Sequence, residues 1–141
     1  MLFWGTANPT GEPSNYDGLH LRRDEIAQLV LDRALIGLPV KVEHKGDAVG
    51  HVQSAWQYGG RLDMLVKLDD QDAQGHIARH FVRNNVCGEM SLGYTVQMEQ
   101  TAENGIRAGK KTITEVSIVK AGARDKCLIY GFLNAGEHSG K

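Results

Sequence analysis

The sequence predicts a mainly β domain with helices (α+β), a closed or nearly closed antiparallel β-barrel of about six or seven strands with two or more surrounding helices. Three observations predict it. Short stretches that alternate apolar and polar residues recur along the chain, separated by Gly, Asn and Asp turns. Only two stretches space their apolar residues as a helix does. The 141 residues, 41% of them hydrophobic, are enough for one core and too few for two.

The elements follow in order. Residues 1–4 form a short strand, and the Gly/Pro/Asn/Ser-rich "GTANPTGEPSNYDG" is loop. "LRRDEIAQLVLDRALIG" places Ile26, Leu29, Val30, Ala34 and Leu35 on one helical face, with Gly37 and Pro39 as its stop. "PVKVEH" alternates as a strand that ends at His44. "KGD" then turns the chain so that "AVGHVQSAWQ" returns as a hairpin arm. "YGGR" turns again into the strand "LDMLVKL". "DDQDAQGHIARHFVRNN" reads as the second helix, with acidic residues in its first turn. "GEMSLGYTVQM" is a strand with Met90, Leu92, Tyr94 and Val96 on one face and Ser91 on the other. "EQTAENGIRAGK" is a loop or hairpin tip. "KTITEVSIVKA" and "CLIYGF" are further strands, the first rich in β-branched residues. Residues 1–135 make one domain and 136–141 a flexible tail.

Bulk properties exclude several functions. Lys and Arg total 16 against 17 Asp and Glu, so no basic footprint for nucleic acid exists. No apolar run approaches membrane-spanning length, and the start "MLFWGTANPT" lacks a signal-peptide pattern. Cys87 and Cys127 allow one disulfide at most, which fits an intracellular domain with reduced thiols. No cofactor is expected. His76 and His80 stand one helical turn apart but lack the glutamate of H-E-x-x-H and a third ligand, so no metal is expected and a solvated helix face is the simpler reading. Cys87 has no neighbouring cation to activate it and reads as a small buried residue.

Ser91 lies in "VCGEMSLGYT", flanked by Gly88 and Gly93. A serine hydroxyl is a weak nucleophile without an imidazole base, and that base needs an orienting group. The pattern is not the G-x-S-x-G of a nucleophile elbow, and strand–turn–helix context is missing. On the residues alone Ser91 is either a small strand residue or a nucleophile. His44, at a strand end, is either a half-buried strand histidine or a base held by a rigid scaffold. Glu115, mid-strand, faces water beside Ser117 or has a partner, since an unpaired buried carboxylate is costly.

Three segments together carry a resemblance. "VEHKGDAVGHV" resembles the H-D-x-x-x-x-V-G-H-V histidine segment of herpesvirus capsid maturation proteases (assemblins). "GEMSLGYT" resembles their G-x-S-L-S-S nucleophile strand. "EVSIVKAGARDKCLIYG" is similar to their H-V-A-L-C-x-x-G-R-R segment, which runs on to Tyr-Gly. The prohead proteases of tailed phages share this fold and order. The resemblance spans about Val40 to Gly131, in matching order and spacing.

It implies a serine endopeptidase that processes scaffold protein during procapsid maturation, with His44 as general base and Ser91 as nucleophile. Glu115 falls where herpesvirus enzymes have a second histidine, and an acidic residue there resembles the phage enzymes. Ala123, through its N–H, and Arg124, through its guanidinium, fall on the oxyanion-stabilising pair. His51 matches a histidine with a structural role. "LNA" followed by Gly136 is similar to the family's aliphatic-x-Ala cleavage site, which implies release between Ala135 and Gly136 from a scaffold segment fused downstream. The implied partners are scaffold and capsid protein, in the interior of the immature capsid: host nucleus if herpesvirus-like, cytoplasm if phage-like. A homodimer is allowed, although herpesvirus enzymes build theirs from helices beyond the point matched by the end of this chain. The rival expectation is a non-catalytic β-barrel module that binds scaffold or coat protein during assembly.

Overall fold

A computed structural model describes residues 1–9, 21–69, 78–79, 82–84, 88–100, 105–120 and 127–133. Seven strands and one helix are defined there: β1 (Leu2–Asn8), α1 (Arg23–Leu31), β2 (Pro39–Val42), β3 (Lys45–Tyr58), β4 (Arg61–Leu68), β5 (Glu89–Gln100), β6 (Ile106–Val119) and β7 (Ile129–Leu133). The mainly β expectation holds. The second expected helix, over 69–85, falls largely outside the described residues, of which 78–79 and 82–83 are helical.

The strands form a single sheet in the order β5-β6-β2-β3-β4-β1-β7. Two expectations need correction here. The sheet is mixed, because β2 runs parallel to β6 through Val40–Val116, Lys41–Ser117 and Val42–Ile118, while the other pairs are antiparallel. It is also an open half-barrel rather than a closed one. Its edge strands meet at one bridge, Glu89–Leu128, flanked by hydrogen bonds from Met90 N–H to Cys127 O (2.8 Å) and from Ile129 N–H to Gly88 O (3.0 Å).

The two longest strands, β3 and β6, pair with two neighbours each. β3 pairs with β2 through its first half and with β4 through its second, with a register shift between Val52 and Ser54. The concave side holds the core: Phe3, Ile26, Leu35, Val40, Val52, Leu62, Met64, Val66, Met90, Val116 and Ile118 are essentially inaccessible to solvent. Each such side chain contributes about 1.5–3 kcal/mol by leaving water, and together they fix which face of every strand points inward.

Local chemistry explains where the elements begin and end. β1 runs four residues past the expected Trp4, because Ala7 and Asn8 are fully buried and Asn8 bonds to Pro9 and Leu21 rather than to water. α1 stops at Leu31, well before Gly37. Arg33 takes φ 56°, and bonds from Arg33 N–H to Val30 O (3.1 Å) and Ala34 N–H to Leu29 O (3.1 Å) close the helix in a Schellman arrangement.

Candidate active site

The β2–β3 connection is a two-residue turn at Glu43–His44, with Val42 paired to Lys45 and φ of 53° and 60° at the two central residues. Positive φ at both positions is the signature of a type I′ hairpin turn, which normally uses Asn and Gly. Side chains with a Cβ resist this region at roughly 1–2 kcal/mol each. Strand β6 holds the turn in place. Glu43 N–H donates to Ile118 O (3.1 Å), the Glu43 carboxylate accepts the Lys120 N–H (2.8 Å), and His44 N–H donates to Ser117 Oγ (3.0 Å). His44 therefore stands in the turn itself, not at the end of β2, and the expected turn at 45–47 is instead the start of β3.

Strands β5 and β6 supply the rest. Ser91 pairs with Ser117, and Gly93 pairs with Glu115, so these four residues share the face opposite Met90, Leu92, Val116 and Ile118. Between Gly93 and Tyr94 the register shifts, leaving Thr114 as an extra residue on β6. This bulge puts Thr114 and Glu115 outward in succession while Ile113 and Val116 stay buried. Gly93 leaves the space that Glu115 fills, since a Cβ there would lie 2.1 Å from Glu115 Oε1.

The outcome is a continuous hydrogen-bonded chain across three strands. Ser91 Oγ lies 3.0 Å from His44 Nε2, and His44 Nδ1 lies 2.5 Å from Glu115 Oε1. The second carboxylate oxygen, Oε2, accepts from Ser117 Oγ at 2.8 Å. A carboxylate on Nδ1 holds the proton on that nitrogen and leaves Nε2 free to accept from the serine. The His44 side chain is 41% exposed, whereas that of Glu115 is 12% exposed. Ser91, on the face opposite Met90 and Leu92, is nevertheless buried, next to the His44 imidazole. Chemically the set can take a proton from Ser91 Oγ and return it to a leaving group.

The overall fold has counterparts among known structures. The fold is assemblin-like. One Kaposi's sarcoma herpesvirus protease, solved in complex with an allosteric inhibitor, superposes with a TM-score of 0.57 at 14% identity, covering 99% of this chain and 82% of its own. A room-temperature crystal structure of Kaposi's sarcoma-associated herpesvirus protease, also in complex with an allosteric inhibitor, gives 0.51 at 14% identity, covering 92% and 76%. No family profile matches the chain. No curated protein sequence matches it either.

Of the residues singled out in the sequence, the assemblin-like fold brings His44, Ser91 and Glu115 together. Ala123, Arg124, Ala135 and Gly136 lie outside the described residues, as do His76, His80 and Cys87. His51 is exposed on β3, in register with Pro39 and Lys67. Cys127 is buried, and its Sγ donates to Ala7 O at 3.5 Å. Three site roles are not visible in the sequence: Gly93 as the space-maker, Glu43 as the turn's anchor and Ser117 as the hydroxyl between His44 N–H and Glu115. One signal was readable: apolar spacing of three from Ile113 to Val116, then two to Ile118, marks a bulge at Glu115.

Proposed function

We propose that this chain is a serine endopeptidase of the capsid maturation type, with a Ser91–His44–Glu115 triad, acting on scaffold protein inside an immature viral capsid. The observation that carries the reading is the unbroken relay of 3.0 Å and 2.5 Å contacts from Ser91 through His44 to Glu115. The assemblin-like fold is consistent with it.

In this reading Ser91 Oγ attacks the scissile carbonyl carbon as its proton passes to His44 Nε2. Glu115 keeps the imidazole oriented and faces the positive charge that forms on it. Collapse of the tetrahedral species breaks the C–N bond, and the departing amine takes the proton from Nε2. Water then repeats the sequence and frees Ser91. Ala123 N–H and Arg124 are the proposed donors to the oxyanion. β5 is an edge strand of the sheet, the position from which a sheet takes up an extended peptide beside Ser91. Scaffold protein fused downstream and capsid protein are the proposed partners, with release between Ala135 and Gly136.

The test uses a chain extended past Lys141 by a scaffold segment, in parent and Ser91→Ala forms. The parent is expected to give a product ending at Ala135, and a serine-directed phosphonate to label Ser91 far faster than free serine. The Ser91→Ala protein should do neither while keeping its circular dichroism. Cleavage that persists in Ser91→Ala, or a Ser91 no more reactive than free serine, would falsify the assignment.

A further inference from the structure

We propose that Ser117 is a positioning residue for the His44–Glu115 pair, acting through one hydroxyl that grips both partners at once. Ser117 lies on β6 between Ser91 of β5 and Lys41 of β2, and it is inaccessible to solvent. Its Oγ accepts the backbone N–H of His44 at 3.0 Å and donates to Glu115 Oε2 at 2.8 Å. Glu115 Oε1 in turn meets His44 Nδ1 at 2.5 Å. These three contacts close a ring: His44 main chain to Ser117, Ser117 to Glu115, Glu115 back to the His44 imidazole.

The ring has a consequence that the relay alone does not. A carboxylate touching only Nδ1 can swing with the imidazole, so the side chain of His44 would keep rotational freedom about its own backbone. Binding the His44 N–H and Nδ1 to one carboxylate–hydroxyl pair fixes the ring relative to the main chain. It also holds His44 at φ 60°, a conformation that its Cβ disfavours. No solvent reaches Ser117 to replace the hydroxyl, so its loss leaves a buried N–H and a carboxylate oxygen without their partner. Displacing a catalytic group by about 1 Å slows an enzyme roughly 10²-fold, and the loss falls on kcat. The hydroxyl also imposes direction. Because Oγ accepts from His44 N–H, its own proton is aimed at Glu115, which keeps Oε2 an acceptor and presents Oε1 to Nδ1.

The kinetic arm of the test rests on the protease reading, and a spectroscopic arm does not. Ser117→Thr keeps the hydroxyl, and Ser117→Val has the same shape without it, so this pair separates the hydrogen bonds from packing. Ser117→Ala gives the loss of the hydroxyl without added bulk. We expect Ser117→Val and Ser117→Ala to lower kcat at least tenfold with KM unchanged, and Ser117→Thr to restore most of the rate. The far-downfield proton resonance of His44 Nδ1–H is expected in the parent and in Ser117→Thr, and to broaden or vanish in Ser117→Val. Equal kcat for Ser117→Thr and Ser117→Val overturns the proposal, and so do matching resonances. Should the parent cleave nothing, the protease reading fails by itself and the resonance comparison alone decides the role of Ser117.

Discussion

Gly93 of β5 lies directly opposite Glu115 of β6, and the Glu115 side chain occupies the space that any larger residue at 93 would need. A Cβ on Gly93 would sit 2.1 Å from Oε1, 2.6 Å from Cδ and 2.8 Å from Cγ of that carboxylate. No rotation of the methyl avoids three such contacts, so Glu115 must leave its place. Gly93→Ala is therefore expected to act on the relay before it acts on the fold. The carboxylate loses its 2.5 Å contact with His44, and kcat falls about 10²-fold. The loss of stability should be small, since the substitution sits on the outer face, away from Met90 and Leu92. Peptide cleavage rates beside a urea melt check this. Full activity in Gly93→Ala would mean that Glu115 does not need its present position.

The charge on Glu115 should matter separately from its shape. In Glu115→Gln the amide oxygen is held by the Ser117 hydroxyl, which donates to this side of the group at 2.8 Å. The NH2 must then face His44 Nδ1. Two donors cannot meet there, so the imidazole adopts the other tautomer and turns Nε2–H toward Ser91. The nucleophile then has no base, and a fall in kcat of about 10⁴ is expected, as in triads where the acidic member becomes an amide. Glu115→Asp keeps the charge but draws it back, and is expected to retain more activity than Glu115→Gln. Steady-state kinetics on one scaffold peptide rank the two variants; a faster Gln variant contradicts this role for Glu115.

Much of this site was legible in the sequence, and the reasons for the gaps are physical. Alternation placed Met90 and Leu92 inward and Ser91 on the opposite face, and the β-branched run around Glu115 marked its strand. The sequence predicts the turn at 45–47 because Lys-Gly-Asp is the better local turn sequence. It forms at Glu43–His44 instead, through hydrogen bonds to Ile118, Lys120 and Ser117, about 75 residues away in the chain. The parallel β2–β6 pairing was equally hidden, since no local pattern announces which distant strand becomes a neighbour. α1 ends earlier than its apolar spacing predicts for a different reason. Arg33 adopts the left-handed conformation four residues before Gly37, the stop that the sequence offers, and its C-cap bonds outweigh the cost of its Cβ.

The half-buried ion pair joining α1 to β6 should set how the fold responds to acid. Lys111 Nζ contacts both oxygens of Glu25, at 2.9 and 3.1 Å, and the Lys111 side chain is 7% exposed. Glu25 also accepts the Arg22 N–H at 3.0 Å, the carboxylate half of a capping box. Burial pushes the Glu25 carboxyl up, but the Arg22 N–H and the Lys111 ammonium together outweigh it and leave the group below the ordinary glutamate value. A carboxyl whose pKa is lower folded than unfolded stabilises the fold fully above the unfolded value, about 4.3, and loses that contribution as pH falls through the folded value. Glu25→Gln is thus expected to be less stable than the parent at neutral pH by about 1–3 kcal/mol, because it leaves the Lys111 cation buried without its counter-charge. The deficit should shrink as pH falls below the unfolded value and through the lower folded one, as the parent's own Glu25 becomes protonated. Urea unfolding of both proteins from pH 3 to pH 7 measures the difference directly, and other carboxyls shared by the two cancel. Stability curves that stay parallel across that range would show that Glu25 carries no such proton linkage.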